Sequence, residues 1–170
     1  MKSEEHLSSI YNFTQVDNIY SFDTRSLIRY EIIFRPTPYL FADEPLFSSF
    51  TYELIIKVAQ NNSGYKNPPY DMLVAPTIAA IFTHFYDNAP TTICIYICDS
   101  SDGRQELRQA KFDRWFEYFD KDDYTKVDDS IRESDGTTYP VSLIVKQANF
   151  YRVAIVLAFF DLTSHYNKDK

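Results

Sequence analysis

The run Thr92-Ile93-Cys94-Ile95-Tyr96-Ile97-Cys98 carries no charge and is apolar on both of its alternating faces. A strand covered on two sides suits such a run, because an edge strand ordinarily carries charge that discourages pairing with another chain. Residues 99–104 lead from it into a segment of helical period that ends in Arg114-Trp115-Phe116-Glu117-Tyr118-Phe119. A buried central strand feeding a core helix fixes an architecture and leaves the chemistry open.

Around that strand the periodicities predict an α+β fold with one mixed, mostly antiparallel sheet. Strands are expected near 11–14, 19–23, 27–34, 50–59, 92–98, 124–132 and 139–146, and helices near 74–87, 103–119 and 149–162. Ile28, Tyr30, Ile32 and Phe34 alternate with Arg29 and Glu31, so one face of their strand is core. Phe50, Tyr52, Leu54, Ile56 and Val58 are read as inward in the same way. Pro36 and Pro38 stop the third strand, since proline cannot donate to a ladder. Pro76 falls where a helix tolerates it, and Asp87-Asn88-Ala89-Pro90 ends that helix. Asp102 with Gln105 has the spacing of a capping box, and Ser134-Asp135-Gly136-Thr137 signals a hairpin. In the last segment Val153, Val156, Leu157 and Phe160 recur at i, i+3, i+4 and i+7, which predicts a closing helix capped by Asn149. The chain reads as a single domain over 1–170, with 1–9 and 165–170 as flexible tails.

Several function classes are disfavoured. With 24 acidic against 17 basic residues the net charge is -7, which repels a phosphate backbone, so no nucleic-acid partner is expected. No stretch of 18 apolar residues occurs, and 1–9 is polar; no membrane association is expected and the location reads as cytoplasmic. Cys94 and Cys98, four residues apart on a strand, stand about 13 Å apart, beyond the ~7 Å a disulfide spans. They read as two buried thiols. His6, His84 and His165 lack ligand spacing, and three glycines in all cannot build a phosphate loop. No metal ligand and no catalytic residue is singled out.

Three groups of residues are candidates for function. Arg104 and Arg108 lie on the helix stripe of Phe112, Trp115 and Phe119, just beyond the carboxyl end of the central strand and beside Asp99. There they either clamp a carboxylate or phosphate or brace the core edge by pairing with Asp99 or Asp102. The aromatic loop holding Tyr39 and Phe41 either packs over the sheet end or offers a partner surface. Asp120, Asp122, Asp123, Asp128 and Asp129 are the densest charge run and read as a solvated acidic loop, and His84 reads as exposed.

Phe34-Arg35-Pro36-Thr37-Pro38-Tyr39, Tyr96-Ile97-Cys98-Asp99, Asp102-Gly103-Arg104, Arg114-Trp115-Phe116 and Tyr139-Pro140-Val141-Ser142-Leu143-Ile144-Val145 together resemble a family of short bacterial proteins of unknown function, a resemblance that implies no activity. The order of elements is also similar to that of GCN5-related N-acyltransferases. That similarity would place an acyl-CoA pyrophosphate on the loop after the fourth strand, where Gln60-Asn61-Asn62-Ser63-Gly64-Tyr65 departs from the family's glycine spacing. Two readings follow. The first is a non-enzymatic cytoplasmic module, without cofactor, that binds another protein or itself as a homo-oligomer. The alternative is an acyl-CoA-dependent N-acyltransferase with a divergent cofactor loop, in which Tyr96 or Asp99 would handle the proton.

Overall fold

A computed structural model describes residues 9–98 and 102–168. β1 (Phe13–Val16), β2 (Ile19–Asp23), β3 (Ile28–Pro36) and β4 (Thr51–Asn61) form an antiparallel meander. The helix α1 (Val74–Asn88) then crosses over to β5 (Ile93–Ile97), which runs parallel to β4. After α2 (Gln105–Phe116) comes the hairpin of β6 (Tyr124–Arg132) and β7 (Thr138–Lys146), with β7 antiparallel to β5, and α3 (Arg152–Lys168) follows. The sheet order is β1-β2-β3-β4-β5-β7-β6, so the α+β class and the interior place of β5 agree with the sequence.

Each face of β5 belongs to a different core. Cys94 and Tyr96 join Leu54, Ile78, Phe82, Phe112 and Ile144 under α1 and α2. Ile93 and Ile95 join Leu143, Val145, Ile155 and Phe159 under α3. The α1 side is closed by aromatic contacts: Phe34 stacks on Phe85 at 3.7 Å, and Phe82 meets Tyr86 and Phe119 at 4.6 and 4.4 Å. A polar strap then fixes α2 to the hairpin. Gln109 donates to Ser142 Oγ at 3.1 Å, Ser142 donates to Asp128 at 2.6 Å, and Lys126 bridges Asp113 and Asp128.

β3 runs on to Pro36, which pairs with Tyr52, rather than stopping at Phe34, and at two other boundaries a named bond explains the move. The first strand starts at Phe13 rather than Tyr11, because the Tyr11 N–H donates to Thr77 Oγ1 on α1 and its hydroxyl to Asp71 at 2.6 Å. The second helix begins at Gln105, not 103: Gly103 has φ +70°, outside helical space, and Asp102 accepts from the Arg104 N–H. No capping box forms, since the Gln105 amide donates to the Thr138 carbonyl instead. The same helix ends at Phe116 and continues as tight turns, Tyr118 N–H to Trp115 and Phe119 N–H to Phe116. In β4, Thr51 is fully buried while Phe50 and Val58 are exposed, which corrects the expected inward row. The strand's first residues are covered on both faces, so alternation cannot sort them.

The largest correction concerns α3. A helix forms, and it runs past Leu162 to Lys168. Its buried residues are Ile155, Ala158, Phe159 and Thr163. Val153, Leu157 and Phe160, expected to face the core, face solvent instead. Both sides of this helix are apolar, so spacing alone does not choose between them.

Tyr86 offers a test of the α1 packing. It is fully buried and donates to the Ile144 carbonyl at 2.7 Å. Tyr86→Phe removes this donor and keeps the ring, so it should cost about 1 kcal/mol. In urea the midpoint should fall with an unchanged slope; an unmoved midpoint would mean the bond contributes nothing.

Candidate functional site

Three places hold the residues singled out by sequence, and they do not converge. Beyond the carboxyl end of β5, Arg108 reaches back to Asp102 with two parallel bonds of 2.8 and 2.7 Å. This pairing holds the Asp102 carboxyl below its ordinary range, chiefly through the Arg108 hydrogen bonds. Arg104 is exposed, and among the described residues its guanidinium forms no ion pair. Asp99 lies outside the described residues. The two arginines thus differ in kind, one braced by a carboxylate and one in water.

At the same end, Cys98 faces Gln109 at 3.4 Å. Burial pushes the Cys98 thiol up to about 11 and the Cys94 thiol up to about 12. Neither is a thiolate at neutral pH, so neither is a ready nucleophile. Tyr96 is stacked on Phe112 at 4.0 Å, and burial pushes its phenol well above the ordinary value. It stays protonated and could give a proton, not take one.

The aromatic loop divides. Tyr39 is 67% exposed, whereas Phe41 is 4% exposed and packs edge-on against Phe47. Of the expected surface pair, only Tyr39 offers surface. It lines a groove of about 440 Å³ whose far wall is α3, through Ala158, Asp161 and His165. Around the helix from that groove run Phe150, Val153, Leu157 and Phe160, exposed at 91, 66, 61 and 42%. The sequence reading named three of these four, Val153, Leu157 and Phe160, as part of a core stripe because a helix apolar all round gives no directional signal.

The acidic run is not one loop. Asp128 and Asp129 sit on β6 and accept from Ser142 and Thr163 at 2.6 Å each, and Asp123 pairs with Lys146. Among the described residues no three His, Cys, Asp or Glu side chains gather to hold a metal ion. His84 is exposed, as expected, with Nδ1 at 3.2 Å from the Tyr20 hydroxyl. After β4, Asn61 accepts from the Ser63 N–H and hydroxyl and donates to the Tyr65 carbonyl. The loop that would hold a pyrophosphate therefore spends these groups on itself. No described helix is long and apolar enough to cross a membrane.

A family model described as "Family of unknown function (DUF6169)" matches residues 70–161, more than half of the chain. The matched span runs from just before α1 into α3 and leaves β1 to β4 outside. No curated protein and no solved structure matches the chain.

Both thiols should resist Ellman's reagent at pH 8 in the native protein and react fully in denaturant; rapid native labelling would contradict their burial. The Asp102 pair makes a second expectation. Because its folded pKa is depressed, the stabilising effect is present above the unfolded carboxyl value and is lost as pH falls through the folded one. Carboxyl NMR shifts should show Asp102 titrating at more acid pH than a free aspartate, and Arg108→Ala should return it to the ordinary value. An unmoved titration would show that the pair does not persist in solution.

Proposed function

The chain belongs to the family of unknown function DUF6169, and from that premise we propose that it is a non-enzymatic, cytoplasmic, self-associating module whose partner surface is the outer face of α3. One observation carries this reading. α3 is apolar on the side facing the sheet and also on the side facing water, where Val153, Leu157 and Phe160 lie uncovered, with Phe150 exposed in the turn just before the helix. A helix apolar all round is normally buried all round.

The occupant that fits is a second copy of the chain. Positions 153, 157 and 160 of α3 are spaced four and three apart, the a/d spacing by which two helices interlock, and Phe150 extends the patch from the turn before the helix. The seam carries no charge, so an identical seam about a two-fold axis leaves no buried charge unpaired. Covering four such side chains on each of two copies removes on the order of 800 Å² of apolar surface, the centre of a ~1,600 Å² interface of standard size. Tyr39, across the groove beside Asp161, lies where such an interface would have its rim.

The alternative, an acyl-CoA-dependent N-acyltransferase, is favoured by one feature. β4 and β5 are parallel and pair only over Thr51–Glu53 against Ile93–Ile95, after which β4 continues along β3. Fold likeness alone does not carry a function, and the self-satisfied 61–65 loop counts against this reading. Release of free thiol from acetyl-CoA with amine acceptors would establish it, with Tyr96→Phe as the variant expected to abolish turnover.

For self-association, sedimentation should give twice the 20.0 kDa chain mass at micromolar concentration. Leu157→Lys and Phe150→Asp should each give monomers with the parent melting temperature at low concentration, since both residues are exposed. With a net charge of -7 per chain, raising salt should tighten the dimer, because screening over ~8–10 Å weakens the repulsion. A monomer at all concentrations, or dimers indifferent to both substitutions, would sink the proposal.

A further inference from the structure

On the opposite side of the sheet from the α3 seam, loop residues from Pro68 to Met72, the start of α1 and the C-terminal half of α2 border a cavity of about 420 Å³. That lies within the ~300–1,000 Å³ range of small-ligand pockets. One wall is a helix face: Lys111, Arg114 and Trp115 are set at i, i+3 and i+4, and Tyr118 follows at i+7 in the turn after α2. The facing wall is the loop, with Tyr70 at 89% and Met72 at 69% exposed. Tyr30 of β3 also lines the cavity, and its side chain is buried.

Three charged groups line this cavity: Lys111, Arg114 and Asp71. Asp71 is already committed, accepting from the Tyr11 hydroxyl at 2.6 Å and the Leu73 N–H at 2.9 Å. Among the described residues neither cation has a carboxylate within ion-pair distance. Lys111 Nζ lies instead 4.9 Å from the Trp115 ring centroid. Loss of hydration, and secondarily the Arg114 charge, hold the Lys111 ammonium below its ordinary value. In a chain of net charge -7, two adjacent cations without acid partners among the described residues are unusual, and a bound anion would relieve their repulsion. The three aromatic rings beside them offer π-faces to a planar group.

We propose that this cavity binds a planar heteroaromatic ring carrying a phosphate, that is, a nucleotide unit, with Lys111 and Arg114 on the phosphate and Tyr70, Trp115 and Tyr118 against the ring. Arg114 can engage two phosphate oxygens at once, and Lys111 adds a point charge. The same chemistry is presented by a free mononucleotide and by the nucleotide end of a larger cofactor such as coenzyme A. The inference does not depend on the self-association of α3, which lies elsewhere, nor on any acyl transfer.

Trp115 is the only tryptophan, so its emission reports the cavity directly. AMP and coenzyme A titrated into the full chain should each quench it saturably and raise the melting temperature by mass action. Adenosine alone and inorganic phosphate alone should bind at least ~10-fold more weakly, since each supplies one half of the contacts. Lys111→Gln and Arg114→Gln should each weaken AMP by about 10-fold while the unliganded protein melts as the parent does. Tyr70→Ala, at an exposed loop position, should also weaken it, and Arg104→Gln, outside the cavity, should not. Equal binding of AMP and coenzyme A assigns the site to the nucleotide unit. Binding of coenzyme A alone, still sensitive to Lys111→Gln and Arg114→Gln, assigns it to the larger cofactor. Absence of saturable quenching with both probes, or affinity untouched by both cation substitutions, overturns the proposal.

Discussion

The burial of β5 on both faces is the constraint from which the rest of the molecule follows. Five uncharged residues between a parallel and an antiparallel neighbour must be covered above and below. Two helices do this on one side and a third does it on the other. Since β5 is short, each covering helix extends beyond it, and what each does with its surplus length differs. α1 and α2 use theirs to close against the meander and against the hairpin. α3 uses only half of its circumference.

That difference separates the two surfaces proposed for function. On the α1 and α2 side, the strap of Gln109, Ser142, Asp128 and Lys126 sets the rotation of α2. With Phe112 and Phe116 held inward, the face bearing Lys111, Arg114 and Trp115 can only turn toward the 66–73 loop. A polar network in the part-buried layer thereby positions cations it does not touch. On the α3 side no comparable strap operates along the outer face, and the apolar seam there is open to a partner.

Much of this was legible in the sequence, and what was not has a physical reason. The absence of charge in 92–98 marked the interior strand, and Ile28, Tyr30, Ile32 and Phe34 marked the core face of β3. Element ends moved where a side chain satisfied a backbone group that propensity assigns to a ladder or cap, as at Tyr11 before β1 and Gln105 at the start of α2. The seam was misread because Val153, Leu157 and Phe160 have the same spacing as the true core row of Ile155, Ala158, Phe159 and Leu162. At Tyr39 and Phe41 a 3-10 turn sends two neighbouring aromatics to opposite fates, which composition cannot resolve. For the cavity, Lys111, Arg114, Trp115 and Tyr118 stand at helical spacing, but the sequence reading set Trp115 on the core stripe of Phe112 and Phe119 and singled out no such wall. The other wall is distant in sequence, and no local pattern joins Tyr70 to Trp115.

The join between β4 and β5 is three residue pairs long, while β3 and β4 pair over nine and β6 and β7 over nine. The meander joins strands that are consecutive in sequence and can form early, whereas β5 must wait for β7, whose partner residues lie far along the chain. Folding is thereby expected to run in two stages, a local one for β1 to β4 and a slower one in which β5 is inserted and the sheet becomes continuous. The family match, residues 70–161, covers the elements of that expected second stage, from α1 through β5 and the hairpin into α3, and leaves the meander outside.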